Sequence, residues 1–198
     1  MLMPEDNNKK TKIINFFGGP GIGKSTQAAG LFYLMKRAGL SVELTEEFPK
    51  VLSWEGNISG LKDQLYITAN QHRNISRLYG KVDYIIIDSP ILNGLVYKHR
   101  YGNQNDYPER LYDDTFDTFV MSLFKGYDNI NIMLDRNDQQ YQRVGRIQDL
   151  VESVEVDNEL RDTLDTNNIK YKSYYVHNGT TQKVFNDLFN DDEVEREL

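Results

Sequence analysis

Residues 18–26 read Gly-Gly-Pro-Gly-Ile-Gly-Lys-Ser-Thr, which sets Gly18, Gly23, Lys24 and Ser25 in the spacing G-x-x-x-x-G-K-[ST]. Each residue type there has a chemical use. Gly19, Gly21 and Gly23 open backbone conformations that a side chain would block, so successive N–H groups can converge on phosphate oxygens. A helix starting near Lys24 aims its positive end at the same point. The Lys24 ammonium can reach the outer phosphates, and the Ser25 hydroxyl can ligate Mg²⁺. The whole run Gly18, Gly19, Pro20, Gly21, Ile22, Gly23, Lys24, Ser25, Thr26 is therefore the candidate phosphate-binding segment, with ATP and Mg²⁺ as the expected cofactors. The bland alternative is a glycine-rich turn that binds nothing.

Further candidates fall just after apolar runs. Asp88 follows Tyr84-Ile-Ile-Ile87, where a carboxylate facing the phosphate loop suits Mg²⁺; as Asp before Ser-Pro it also suits a helix cap. Glu46 and Glu47 follow Val42-Glu-Leu-Thr45. Phosphorylating a hydroxyl needs a carboxylate to orient it and accept its proton, and Glu47 is the preferred base, against a solvated or capping acidic turn. Trp54, the only tryptophan, can stack on a flat ring or belong to the core. Gln64, Gln71, Arg73 and Arg77 lie along one predicted helix. There an amide pair with an arginine can read a base edge and an anion, or simply form a solvated face. Arg136, Arg143 and Arg146 crowd the segment after another apolar run. Arginines delivered by a closing lid would stabilise the charge of a transferring phosphoryl group; the alternative is surface pairing with the acidic residues that follow.

These residues need a frame. Lys12–Phe17, Ser41–Thr45, Val82–Asp88, Asn129–Leu134 and Tyr171–Val176 read as five strands. Helices are predicted over Ser25–Ala38, Gly60–Tyr79, about Tyr112–Phe124, Val151–Thr166 and Thr181–Phe189. The stretch Tyr97–Asp114 is predicted to hold a loop. Strands alternating with helices predict an α/β fold, a five-stranded parallel sheet with helices on both faces. A single domain is expected over 1–198, with a lid at about 135–149 and a frayed acidic tail at about 187–198.

Composition narrows the function classes. The 198 residues include no cysteine, which excludes disulfides and thiolate chemistry and fits a reducing, cytoplasmic setting. No window is apolar enough to span a membrane. The net charge is −7, of which residues 187–198 carry −5. That balance argues against broad adhesion to nucleic acid but leaves room for a local basic cleft.

The chain resembles the compact phosphate-loop kinases of the nucleoside-monophosphate and thymidylate kinase group. More narrowly, it is similar to bacteriophage-type kinase/ATPase proteins related to nicotinamide riboside kinases. The stretches that carry this are residues 18–26, Val42–Lys50 with Trp54-Glu-Gly56, Asp63-Gln-Leu-Tyr66, Asp88-Ser-Pro90 and Tyr141-Gln-Arg-Val-Gly-Arg146. The resemblance implies a central phosphate-loop strand, an arginine lid over ATP, and an acceptor near Glu47, Trp54 and Asp88. It also implies kinase activity toward a nucleotide-like acceptor. The first choice is 5-hydroxymethyluracil within phage DNA, a step in thymidine hypermodification; free nucleotides, nucleosides or nicotinamide riboside are the alternative. The chain departs from the thymidylate kinases in carrying Asp88-Ser-Pro90 where they have an Asp-Arg pair, and its lid lacks their proline. Lys98-His-Arg100 with Tyr97, Tyr101 and Tyr107 is a candidate strand contact, or a helix end dressed with cations. A homodimer is an open expectation. From another class comes a P-loop ATPase switch acting on a protein partner, and from a third a silent nucleotide-binding module.

Overall fold

The computed structural model describes residues 10–45, 47–101, 109–136 and 150–189. Five strands, β1 (Lys12–Phe17), β2 (Val42–Thr45), β3 (Tyr84–Ile87), β4 (Asp128–Asp135) and β5 (Lys172–Tyr175), form one sheet in the order β2-β3-β1-β4-β5. Every pairing is parallel. The phosphate-loop strand β1 is central, as its run of five buried residues requires.

Side chains alternate across β1. Ile13 and Phe17 join one core with Ile85, Ile87 and Met133, covered by α5 (Asn93–Tyr101), α6 (Glu109–Lys125) and α7 (Leu150–Thr166). Ile14 and Phe16 join the other with Ile86, Ile132 and Leu134, covered by α1 (Lys24–Arg37) and α8 (Thr180–Phe189). The sheet is thus sandwiched between two helical layers, the expected architecture. One polar residue interrupts β1. The Asn15 Nδ2 donates to the Oδ1 atoms of Asn129 (2.9 Å) and Asn131 (3.0 Å) on β4. These asparagines in turn donate to the main-chain oxygens of Phe124 and Lys170, so the buried amides are partnered.

The connection from β2 to β3 departs most from expectation. The single helix expected over 60–79 is broken into α3 (Ile58–Lys62) and α4 (Gln64–Ser76), and a helix that was not expected, α2 (Phe48–Trp54), precedes them. Two side chains make the breaks. The Asn57 Oδ1 accepts from Gly60 N, and the Asp63 Oδ1 accepts from Tyr66 N, each capping a new helix start. Helix α5 also runs to Tyr101, through residues expected to be loop, and α6 begins at Glu109 rather than near Tyr112. The acidic tail does not begin free at residue 187. Asp187 lies in α8, where its carboxylate takes hydrogen bonds from Lys172 Nζ (2.8 Å) and the Tyr174 hydroxyl (3.0 Å). Among the described residues no helix is long and apolar enough to cross a membrane.

Candidate active site

The turn after β1 leads directly into α1. Gly23 caps the helix at φ 102°, in the left-handed region that an L side chain strains to enter, so glycine is the residue this corner takes. The first turn of α1 holds no acidic residue, which leaves its positive end for an anion. The Lys24 Nζ donates to Gly19 O at 3.1 Å, so the ammonium stays folded over its own loop. Pro20, Gly21, Gly23, Lys24, Ser25 and Thr26 all line one cavity of ≈ 480 Å³.

The same cavity reaches the β2–β3 connection. Glu47, the N-cap position of α2, lines it, and its carboxylate makes no capping hydrogen bond. Trp54 lines it too and is 68% exposed, so it is not a core tryptophan. Gln64 and Gln71 share one buried face of α4 and both line the cavity. Arg73, two positions from Gln71, is exposed on another side of the helix, outside the cavity, as is Arg77.

Several buried oxygens gather at this part of the molecule; those of Gln71, Ser89 and Asn93 belong to residues that line the cavity, those of Thr68 and Asp88 to residues that do not. Gln71 Nε2 donates to Ser89 O (3.0 Å) and approaches the Ser89 hydroxyl (3.3 Å), which fixes the amide's orientation and leaves Oε1 without a hydrogen-bond partner. Thr68 Oγ1, Asp88 Oδ1 and Asn93 Oδ1 are likewise buried and unpartnered among the described residues. Leaving such a group unsatisfied costs about 1–3 kcal/mol, so a cluster of them beside a cavity is a feature that a donor-bearing ligand or a cation would relieve. Asp88 does not cap α5, which begins five residues later. Asp88 is not itself a lining residue, but its buried, orphaned oxygen and the hydroxyl of the cavity-lining Ser25 are hard oxygen donors of the kind that would suit a divalent cation such as Mg²⁺. Such a cation keeps waters and phosphate oxygens as its other ligands. Among the described residues no group of three or more acidic, His or Cys side chains is gathered as a metal cage, and this mode of binding needs none.

Arg136 departs from the lid expectation. Arg136 does not line the cavity. It lies behind the phosphate loop, with Nε donating to Asp157 Oδ2 (2.5 Å) and Nη2 to Pro20 O (3.0 Å). Arg143 and Arg146, and with them most of the lid and the Tyr-Gln-Arg-Val-Gly-Arg stretch, lie outside the described residues. Lys98 and Arg100, the candidate strand contact, are both engaged within the chain. Lys98 is buried with its Nζ 2.6 Å from Asp117, and Arg100 pairs with Glu155 (3.1 Å) and Glu159 (2.7 Å). The Glu159 hydrogen bonds push the Arg100 guanidinium still further above its ordinary value. Tyr101 and Tyr107 fall where no side chain is described, while Tyr97 lines the cavity.

Sequence reasoning missed Ser89, Asn93, Lys50 and Lys62 as lining residues. Ser89 and Asn93 carried a signal, since they follow Asp88 at the strand end where ligands gather. Lys50 and Lys62 had none, because α2 and α3 were not anticipated.

The family pattern of the AAA domain matches residues 13–179. The chain belongs to that family. No curated protein matches it in sequence. Among solved structures it is similar to the NadR protein in complex with NR, at TM-score 0.62 and 14% identity over 82% of this chain and 43% of that one. The chain thus spans less than half of the NadR chain. It is also similar to deoxyadenosine kinase from M. mycoides with bound dCTP, at TM-score 0.54 and 17% identity, covering 92% and 99% of the two chains. The same kinase with bound dATP gives TM-score 0.53 and 19% identity over 90% and 99%. These likenesses show the fold, an α/β P-loop kinase fold.

Proposed function

We propose that the protein is an ATP-dependent kinase that transfers the γ-phosphoryl group to a hydroxyl of a nucleoside- or nucleotide-like acceptor. One observation carries this. The phosphate loop, Glu47 and the oxygen-bearing residues Gln71, Ser89 and Asn93 all line a single cavity. Residues Gly21 to Thr26 hold the phosphates, and Lys24 compensates charge on the outer ones. Ser25 and Asp88 would hold Mg²⁺, which would neutralise charge on the phosphates when bound. Glu47 orients the acceptor hydroxyl and takes its proton as that oxygen bonds to the γ-phosphorus and ADP departs. Trp54 offers a stacking face at the mouth of the cavity. Gln71 Oε1 and Asn93 Oδ1 accept from N–H or O–H donors of the base or sugar. Kinship of fold with a deoxyadenosine kinase and with a protein that binds NR supports this acceptor class.

The finer reading is an acceptor that bears its own phosphate, with the hydroxymethyl group of 5-hydroxymethyluracil in phage DNA ranked first and a deoxynucleoside monophosphate next. Lys50 and Lys62 support it. Both line the cavity, Lys50 from α2, which also carries Trp54, and Lys62 from α3, and neither has an ion-pair partner among the described residues. A neutral nucleoside gives them nothing to compensate.

The deciding experiment incubates labelled ATP and Mg²⁺ with hydroxymethyluracil-containing DNA, unmodified DNA, deoxynucleoside monophosphates, deoxynucleosides and nicotinamide riboside. Label on any acceptor supports the kinase reading, and label on the modified DNA alone selects the first choice. Label on neutral nucleosides alone defeats the anionic acceptor. ATP hydrolysis with no label on any acceptor defeats the kinase reading in favour of a P-loop ATPase switch.

A further inference from the structure

We propose that Asp157 is a positioning residue for the phosphate loop, reaching from α7 to hold the loop's first half so that its second half is shaped to receive phosphate. Asp157 is buried, and its carboxylate makes two contacts. Its Oδ1 accepts from Gly19 N–H at 2.5 Å. Its Oδ2 accepts from Arg136 Nε at 2.5 Å. Arg136 then spans onward, with Nη2 donating to Pro20 O (3.0 Å) and Ser153 O (3.3 Å). Two consecutive loop residues, Gly19 by its N–H and Pro20 by its carbonyl, are therefore gripped by one ion pair. The packing is close as well. A Cβ on Gly19 would stand 2.3 Å from Ser153 O, so glycine is what lets α7 lie against the loop.

Neither Asp157 nor Arg136 lines the cavity, so neither is placed to touch nucleotide. Their effect must pass through the loop. The residues of the loop that do face the cavity begin at Pro20, next to the gripped peptide. Fixing Gly19 and Pro20 therefore fixes where the following N–H groups point. A loop shaped before its ligand arrives loses less entropy on binding than one ordered by the ligand. The grip itself comes from a rigid element. Arg161, one turn beyond Asp157, pairs with Asp135 at the end of β4, so α7 is anchored twice beside the loop. Arg136 thereby takes a role the lid reading did not give it, as a brace rather than a group carried to the phosphate.

The proposal rests on reading this loop as a nucleotide site, and the test separates the two. The full chain is titrated with ADP and Mg²⁺ as wild type, Asp157→Ala and Asp157→Asn, and melting temperatures are recorded without ligand. Asp157→Ala removes both contacts and should raise the ADP Kd about 10- to 100-fold. Asp157→Asn keeps an oxygen for Gly19 N–H but loses the charge facing Arg136, and should raise it about 3- to 10-fold. The KM for the acceptor should stay unchanged in both. A purely structural role would lower the melting temperature and leave the Kd within about twofold of wild type, which overturns the proposal. Should the alanine variant fail to fold, the asparagine variant alone decides by the same criterion. Wild type that does not bind ADP would defeat the nucleotide reading and this proposal together; wild type that binds, with variants that bind equally, defeats the proposal only.

Discussion

Single atoms set the sharpest expectations. Lys24 contributes one hydrogen bond to the resting protein, to Gly19 O, and stands at the first position of α1, where alanine is well tolerated. Lys24→Ala should therefore melt close to wild type yet lose phosphoryl transfer. Turnover at the wild-type rate would show that the loop's ammonium is not used. Glu47 caps α2 by its main chain only, so Glu47→Gln should preserve the helix and nucleotide binding. If its carboxylate takes the acceptor proton, transfer should fall about 10²- to 10⁴-fold in single-turnover kinetics. An unchanged rate would move the base elsewhere. At this scale the sequence was most informative where chemistry and local geometry coincide. The run from Gly18 to Thr26 is contiguous, so its spacing already states its shape. The acceptor side is assembled from Glu47, Trp54, Gln71 and Asn93, which are far apart in the chain; the first three stood out by residue type, and Asn93 only by its place after Asp88.

At the scale of elements, regular strands and amphipathic helices were legible because their apolar periods are unambiguous. The β2–β3 connection was not. Leu61, Leu65 and Ile67 read as one helical stripe, yet Leu65 is 41% exposed and the stripe is cut by a cap. A side-chain oxygen that takes a main-chain N–H three residues on can end one helix and start another without disturbing hydropathy at all. Asp63 does so between α3 and α4, with its Oδ1 2.9 Å from Tyr66 N. Asp63→Ala should cost about 1 kcal/mol of stability by denaturant titration. Because α3 carries Ile58, Leu61 and Lys62 into the cavity wall, the same change should raise the KM for the acceptor more than that for ATP. Equal changes in both would mean that this wall does not discriminate between the two ligands. The grip of Asp157 on Gly19 was equally hidden, since the two residues are 138 apart in the chain and nothing in an acidic helix distinguishes one carboxylate that faces inward.

For the molecule as a whole, the two helical layers must stay on the sheet for the loop and acceptor wall to face each other. On the β5 edge that closure is partly electrostatic. Asp187 on α8 is held below the ordinary carboxylate range by its hydrogen bond from Lys172 and then by the Tyr174 hydroxyl. Lys172 is raised by the same partner, and burial with the Asp187 hydrogen bond pushes the Tyr174 phenol up to about 12. A depressed carboxylate stabilises the fold above its unfolded value, near ~4, and the stabilisation disappears as pH falls through the lower folded value. A raised phenol acts in the opposite direction, stabilising below its unfolded value near ~10 and failing as pH climbs toward its folded one. Asp187→Asn should therefore melt below wild type at neutral pH, and the difference should shrink once the pH drops below about 4. The effect is small because Lys172 is largely exposed and screened by solvent. In a difference titration of tyrosinate absorbance against Tyr174→Phe, the Asp187→Asn background should bring the Tyr174 transition downward toward its ordinary range. A gap in melting temperature that persists unchanged in acid, or a Tyr174 transition indifferent to residue 187, would mean that α8 is held on β5 by its apolar face alone, through Val184 and its neighbours.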